Sequence, residues 1–141
     1  MSETIKQQKT EWDNIRCLVV DDDRFARTFI ISALNHVGLV YIKEADSADR
    51  AMDVLQNNKI DIIFLDQQMP SKTGLDFIRD LRSSDNEELK KTPIIMVTID
   101  AKEKTILDAK ELGVDDYVIK PISPLVLRKR IRDALGFSQE G

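Results

Sequence analysis

IDIIFLDQQMP, residues 60–70, is the stretch that decides the fold. Its apolar run, which ends at Leu65, is typical of a strand buried on both faces of a parallel sheet. Asp66 follows at the carboxyl end of this strand, and Pro70 prevents further strand pairing. Ligands of open α/β sheets bind beyond the carboxyl ends of the strands, which makes Asp66 a candidate functional residue. A carboxylate that only caps the strand is the alternative interpretation.

Length and composition exclude several classes of protein. The 141 residues suit one domain, 42% of them are hydrophobic, and the net charge of -4 argues against a general nucleic-acid binder. We expect no membrane insertion and a cytoplasmic protein, because the sequence shows neither an apolar stretch of membrane-spanning length nor a signal-peptide core. A lone cysteine, Cys17, precludes an internal disulfide, and a lone histidine, His36, argues against a zinc site.

Apolar patterning predicts five strands that alternate with five helices. The strands are predicted at residues 16–20, 40–45, 60–65, 94–98 and 116–120. Apolar residues at helical spacing predict helices at about 25–37, 47–56, 75–81, 100–112 and 123–135. Such alternation is typical of an α/β fold with helices on both faces of a doubly wound, five-stranded parallel sheet. The polar residues 83–92 are predicted to form a surface loop.

Domain organisation follows from the same pattern. We predict a flexible N-terminal extension over residues 1–15, one domain over residues 16–136 and a C-terminal tail over residues 137–141. Trp12 is a candidate for packing on the domain. The glycines are isolated, so the sequence contains neither a P-loop nor a dinucleotide-binding loop. Asp100 and Glu103 have the spacing of a capping box and are predicted to begin the fourth helix.

The residues at the strand ends form one candidate site. The first strand supplies Asp21 and Asp22, the third Asp66, the fourth Thr98 and the fifth Lys120. Converging carboxylates repel one another unless a cation binds among them, and oxygen ligands without histidine or cysteine favour Mg²⁺. With the lysine charge and the threonine hydroxyl, this set would stabilise a phosphoryl group and make Asp66 a nucleophile that forms an aspartyl phosphate. A salt-bridge network of unrelated residues is the alternative.

Several short motifs resemble the receiver domain of two-component response regulators, whose fold is flavodoxin-like. They are LVVDDD at 18–23, LD at 65–66, MP at 69–70, GL at 74–75, VT at 97–98 and YVIKP at 117–121. The resemblance extends over nearly the whole chain. It implies a stand-alone receiver of the chemotaxis-regulator type, which is not an enzyme and catalyses only its own phosphorylation and dephosphorylation.

The resemblance implies a role for each acidic residue of the site. Asp66 corresponds to the phosphoacceptor, and Asp22 corresponds to a direct ligand of Mg²⁺. Asp21 corresponds to the neighbouring acid, which acts mainly through a water molecule on the metal. Gln68 stands where members of the family offer a backbone carbonyl to the metal.

Phosphorylation is implied to change a binding surface. Lys120 corresponds to the lysine that binds the phosphoryl group, and its bond to Pro121 is typically cis in this family. Thr98 and Tyr117 correspond to the switch hydroxyl and the switch aromatic, of which the second swings inward behind the first. The surface that responds consists of the fourth helix, the fifth strand and the fifth helix, at about residues 101–135.

The implied partners are a sensor histidine kinase and a downstream target protein. Transfer of the phosphoryl group to a histidine phosphotransfer protein stays open, and so does dimerisation of an otherwise monomeric chain on phosphorylation. The last helix carries basic residues that form either a docking patch or a solvated helix face. They are Arg128, Lys129, Arg130 and Arg132.

Three other classes of protein share parts of this pattern. A phosphatase of the haloacid dehalogenase type also forms an aspartyl phosphate. That class has a DxD pattern, however, in which a second acid stands two residues after the nucleophile, where this chain has Gln68. A flavodoxin-like electron carrier needs a phosphate-binding loop after the first strand, where the aspartates at 21–23 would repel phosphate. A pseudo-receiver would lack some of the acids or the lysine that this chain contains.

Ile99 departs from the family pattern, in which Ala or Gly usually follows the switch hydroxyl. A branched apolar side chain beside Thr98 is expected to hinder the access of phosphodonors and of water to the site. Gln68 and Asp100 are polar and are expected to position the attacking water. Packing of Ile99 against the fourth helix is the alternative, in which its truncation would only destabilise the domain.

Overall fold

The computed structural model describes residues 11–137. In that part of the chain, a five-stranded sheet is surrounded by five longer helices and one single-turn helix, and a 3₁₀-helix at Glu11–Asn14 precedes them. The strands are β1 (Arg16–Val20), β2 (Tyr41–Ala45), β3 (Ile62–Leu65), β4 (Ile94–Thr98) and β5 (Asp116–Ile119). The longer helices are α1 (Arg24–His36), α2 (Ala48–Asn57), α3 (Gly74–Arg82), α4 (Glu103–Glu111) and α5 (Pro124–Leu135).

The strand order β2-β1-β3-β4-β5, with every pair parallel, confirms the predicted doubly wound fold. Successive side chains of a strand point to opposite faces of the sheet. One face packs against α1 and α5, and the other packs against α2, α3 and α4. Every residue of β3 and β4 is buried, because both strands lie inside the sheet and are covered on both faces.

The register of the sheet brings the candidate residues to one edge. Val20 pairs with Leu65, and Leu65 pairs with Met96. Asp66 donates its backbone N–H to the carbonyl oxygen of Val20 at 3.0 Å. Asp21 and Asp66 therefore leave neighbouring strands at the same level, at the carboxyl edge of the sheet.

The segment predicted as a surface loop at residues 83–92 contains the single-turn helix, Glu87–Lys90, which raises the number of helices above the predicted five. Asn86 precedes this helix, and its Oδ1 accepts hydrogen bonds from the N–H groups of Glu88 and Leu89. A short polar side chain that satisfies the first N–H groups of a turn is sufficient to begin a helix. The prediction of a loop was wrong here because the apolar pattern of a longer helix is missing.

The capping box predicted for the fourth helix does not form. Helix α4 begins at Glu103, and the residue before it, Lys102, makes no capping bond with its side chain. The carboxylate of Asp100 accepts hydrogen bonds from the N–H of Lys102 and from the hydroxyl of Thr105. Asp100 therefore anchors the first turn of α4 from outside the helix, where its carboxylate accepts the Thr105 hydroxyl in place of the predicted reciprocal bonds with Glu103.

The hydrophobic core begins before residue 16, the predicted start of the domain. Trp12 and Ile15 are buried, and the Trp12 ring lies edge-on to Phe137 with ring centroids 6.0 Å apart. The guanidinium of Arg128 lies 4.9 Å from the centroid of the same ring. Trp12 and Ile15, which lie within the predicted extension, therefore contribute to the core, whereas residues 1–10 and 138–141 lie outside the described part of the chain.

Several large apolar side chains of the described region face solvent. Phe25 and Phe29 share the helical spacing of the buried residues of α1, yet they are 85% and 60% exposed. Both lie on the side of α1 that does not pack against the sheet. Among residues 11–137, no helix is long and apolar enough to cross a membrane.

Candidate functional site

Three carboxylates meet at the carboxyl edge of the sheet. Asp21 and Asp22 follow β1, Asp66 follows β3, and one oxygen from each lies within 4.8 Å of the others. Asp21 and Asp66 are buried, whereas Asp22 is exposed. The structure thus brings together the three acids that were predicted to converge at the strand ends.

Asp21 is held by two hydrogen bonds. Its Oδ1 accepts from the N–H of Asp23 at 2.9 Å, and its Oδ2 accepts from Nζ of Lys120 at 3.1 Å. Burial has the largest effect and raises the pKa of the Asp21 carboxyl, and the charge of Asp66 raises it as well. The Asp23 N–H and the Lys120 ammonium lower this pKa and oppose part of the increase. The cluster thus carries the mutual repulsion that a bound cation would relieve.

Asp66 carries a buried oxygen without a partner. Within residues 11–137, its Oδ1 makes no hydrogen bond. A buried, unpaired polar atom costs free energy unless a donor or a cation satisfies it. Three converging carboxylates form a hard oxygen site of the kind that Mg²⁺ prefers. The acidic pocket therefore fits a magnesium ion.

Lys120 reaches the acidic cluster from the end of β5. Its backbone N–H donates to the carbonyl oxygen of Thr98 at 2.9 Å, which continues the pairing of β4 with β5 by one residue. The peptide bond from Lys120 to Pro121 is cis, as the family resemblance implied. The side chain is 21% exposed, and its ammonium forms an ion pair with Asp21. Lys120 therefore places one positive charge beside a buried acid.

Thr98 and Tyr117 contact the same residue. Thr98 is fully buried at the end of β4, and its Oγ1 accepts a hydrogen bond from the N–H of Asp100 at 3.2 Å. The hydroxyl of Tyr117, on β5, donates to the carbonyl oxygen of Asp100 at 2.6 Å. Burial raises the pKa of Tyr117 to about 12, and the charges of Asp100 and Asp66 contribute to the increase. The two candidate switch residues are thus connected through the backbone of Asp100.

A cavity of about 490 Å³ opens beside the acidic cluster, and Asp22, Gln67, Gln68 and Asp100 are among its lining residues. Gln68 is exposed, which leaves its side chain free to reach a molecule in the cavity. Ile99 is 64% exposed, so it does not pack into the core as the alternative interpretation required. Its side chain lies outside the lining of this cavity.

Two residues of the site were missed in the sequence. Arg27, on α1, donates from Nη1 to the carbonyl oxygen of Asp21 at 2.8 Å, and it pairs with Glu44 at 3.0 Å. This contact could have been predicted from the sequence, because Arg27 is a cation one turn into the helix that follows the aspartates. Gln67 accepts a hydrogen bond at its Oε1 from the N–H of Leu75 at 2.9 Å. No local pattern indicates that contact, because a glutamine in a loop has many conformations available.

A doubly wound sheet that carries three aspartates and a lysine at its carboxyl edge defines a class of signalling protein, the receiver. The sequence model of the response regulator receiver domain matches residues 17–132. The chain therefore belongs to the response regulator receiver domain family. Its members are signalling proteins, in contrast to metabolic enzymes that use the same sheet.

Relatives from several bacteria are similar over most of their length. Chemotaxis protein CheY of Pseudomonas aeruginosa is 36% identical over 117 residues, which cover 83% of this chain and 93% of that protein. Chemotaxis protein CheY-3 of Vibrio cholerae is 31% identical over 118 residues, which cover 84% and 89%. The crystallised chemotaxis protein CheY4 of Vibrio cholerae matches with a TM-score of 0.77 at 27% identity, over 86% of this chain and 98% of that chain. These similarities confirm a CheY-like receiver.

Proposed function

We propose that this chain is a phosphorylatable response regulator in which Asp66 accepts a phosphoryl group in a Mg²⁺-dependent reaction. The phosphodonor is a sensor histidine kinase or a small molecule such as acetyl phosphate. The observation that carries the proposal is the buried, unpaired Oδ1 of Asp66 within a cluster of three carboxylates. An acid in such surroundings is suited to act as a nucleophile once a cation balances its neighbours.

We propose that Asp22, Asp66 and the backbone carbonyl of Gln68 bind the magnesium ion directly. Asp22 is exposed and Asp66 has a free oxygen, so both are available as ligands. Both oxygens of Asp21 already accept hydrogen bonds, which supports an indirect role for Asp21 through a water molecule. This division is in keeping with the behaviour of Mg²⁺, which keeps several waters when it binds to proteins.

In the proposed reaction, a carboxylate oxygen of Asp66 attacks the phosphorus atom of the donor. The new O–P bond forms while the P–N bond of a phosphohistidine, or the P–O bond of acetyl phosphate, breaks. The leaving group departs as the imidazole or as acetate. Magnesium, when bound, would neutralise charge on the phosphoryl oxygens. The Lys120 ammonium would pair with a second oxygen, and the Thr98 hydroxyl would donate to a third.

The proposed output is a change in the surface formed by α4, β5 and α5. Phosphorylation adds about -1.5 to -2 charges at one point, which must favour one of two arrangements of that surface. Leu107 on α4 and Ile119 on β5 are 52% and 43% exposed, so apolar contacts with a target are available. Arg128 and Arg130 on α5 already interact with Trp12 and with an aspartate of β5. A basic docking patch is therefore the weaker interpretation of α5.

The proposed partners are a sensor histidine kinase and a target protein in the cytoplasm. The curated relatives named above are chemotaxis proteins. On that basis we propose a target in chemotaxis signalling, bound by the α4–β5–α5 surface in its phosphorylated arrangement.

Labelling with radioactive acetyl phosphate tests this function. The wild-type chain should be labelled with Mg²⁺ and not without it. Asp66→Asn should not be labelled, because a neutral amide is a poor nucleophile. Asp53→Asn, which changes an exposed aspartate of α2, is the matched control and should be labelled like the wild type. Labelling of Asp66→Asn to wild-type stoichiometry would contradict the assignment.

A further inference from the structure

Gln67 lies between Asp66 and Gln68 and contacts the start of α3 with both its side chain and its backbone. Its Oε1 accepts a hydrogen bond from the N–H of Leu75 at 2.9 Å. Its carbonyl oxygen accepts from the N–H of Gly74 at 3.0 Å. The side chain is half-buried and lines the cavity beside the acidic cluster.

These two bonds satisfy the first N–H groups of α3, which have no partners within the helix. The next N–H, that of Asp76, donates to Oγ1 of Thr73 at 3.2 Å, and Asp76 accepts from the N–H of Thr73 at 3.0 Å. A capping box thus closes the helix from one side. Gln67, at the end of β3, satisfies the two preceding N–H groups, those of Gly74 and Leu75.

The start of α3 lies directly against the backbone that carries the acidic cluster. A Cβ atom added at Gly74 would lie 2.5 Å from the carbonyl oxygen of Asp66 and 3.0 Å from Cα of Gln67. Only glycine permits this approach. Residues 68–73 therefore form a loop whose two ends are joined, and the joint includes the Gln67 amide.

We propose that Gln67 is a positioning residue for the magnesium site. The bond from the Leu75 N–H to Gln67 Oε1 holds the loop closed and so orients the carbonyl oxygen of Gln68 and the carboxylate of Asp66. This inference rests on the proposed function, in which those two groups bind Mg²⁺. Residues that orient metal ligands typically affect metal affinity by about 10–100-fold when they are changed.

Two substitutions separate the hydrogen bond from the volume of the side chain. Gln67→Met keeps the length of the side chain but removes the amide oxygen, whereas Gln67→Glu keeps an oxygen acceptor at the same position. Mg²⁺ affinity is measured by calorimetric titration, and protection of the Leu75 amide is measured by hydrogen exchange. For Gln67→Met we expect Mg²⁺ binding weakened by about tenfold or more and faster exchange at Leu75. For Gln67→Glu we expect wild-type protection and Mg²⁺ affinity no weaker than that of the wild type.

Gln56→Met, at an exposed position of α2, is the matched control and should bind Mg²⁺ like the wild type. If Gln67→Met only lowers the melting temperature and binds Mg²⁺ with unchanged affinity, Gln67 has a purely structural role and the inference is overturned. Equal weakening in Gln67→Glu and Gln67→Met also overturns it. A wild-type chain that binds no Mg²⁺ overturns the proposed function itself, which is a distinguishable result.

Discussion

The hydroxyl of Tyr117 donates a 2.6 Å hydrogen bond to the backbone carbonyl of Asp100. The N–H of Asp100 donates in turn to Oγ1 of Thr98 at 3.2 Å. Thr98 lies at the carboxyl edge of the sheet, near the acidic cluster, whereas Tyr117 lies on β5 within the proposed output surface. A displacement of the Thr98 hydroxyl toward a phosphoryl group would therefore act on Tyr117 through one residue.

Loss of either phosphoryl-binding side chain should uncouple phosphorylation from the output surface. A change in the ratio of the two surface arrangements from 1:99 to 99:1 needs about 5.5 kcal/mol. One hydrogen bond to a charged group contributes about 1.5–3 kcal/mol, which is a large part of that free energy. We therefore expect Lys120→Ala and Thr98→Ala to reduce the conformational response more strongly than the chemistry. The measurement is the change in the NMR signals of Tyr117 on addition of beryllofluoride with Mg²⁺. Thr98→Ser, which keeps the hydroxyl, is the control. Equal changes in the wild type and in both alanine variants would contradict the proposed coupling between the phosphorylation site and Tyr117.

The pKa of Tyr117 predicts a loss of stability in strongly alkaline solution. Burial, with the charges of Asp100 and Asp66, raises this pKa to about 12 in the folded chain, whereas an unperturbed tyrosine titrates at about 10. Between these two pH values the folded state binds more protons than the unfolded state. The contribution of the protonated Tyr117 to the free energy of unfolding is therefore complete below the pKa of the unfolded state. It is lost as the pH rises through the pKa of the folded state. Tyr41→Phe leaves Tyr117 as the sole tyrosine, and its near-ultraviolet absorbance gives the pKa. An ordinary midpoint in the folded variant would contradict the burial effect.

Truncation of Ile99 should speed both formation and loss of the aspartyl phosphate. Ile99 follows Thr98 and is 64% exposed, although its side chain lies outside the cavity lining, so its truncation tests access to the site without emptying the core. We expect each rate to rise a few fold, which corresponds to less than about 1.4 kcal/mol of barrier. Acetyl-phosphate labelling and spontaneous dephosphorylation of Ile99→Ala measure the two rates. Leu107→Ala, at another exposed apolar position, is the control. Unchanged rates would show that Ile99 does not limit access.

Trp12 should contribute substantially to stability although it precedes the sheet. Its ring is buried against Phe137 and is covered by Arg128. Truncation of a buried tryptophan to alanine removes this packing, and we expect Trp12→Ala to lose about 3 kcal/mol of unfolding free energy. Urea unfolding followed by circular dichroism measures the loss. Leu125→Ala, at a position that is 80% exposed, is the control, and it should stay within about 0.5 kcal/mol of the wild type. A wild-type midpoint for Trp12→Ala would show that this contact is not formed in solution.

The sequence by itself determined the fold class and the residues that meet at the edge of the sheet. Apolar runs that stop at Asp21, Asp66 and Lys120 show where each buried strand ends. A parallel sheet brings the carboxyl ends of its strands to one edge, whatever the lengths of the connecting helices. The convergence of these residues could therefore be predicted from their positions at the strand ends.

The hydrogen-bond and packing partners of several other side chains were decided only by the tertiary structure. The Asp100 carboxylate accepts the Thr105 hydroxyl, whereas the local spacing favoured a capping box with Glu103. Gln67, at the end of β3, accepts a hydrogen bond from the N–H of Leu75 at the start of α3. Trp12 packs against residues at the opposite end of the chain. Local sequence leaves such side chains several acceptable conformations. The selection among them is made when distant segments pack together, because only then are the buried surface and the available hydrogen-bond partners defined.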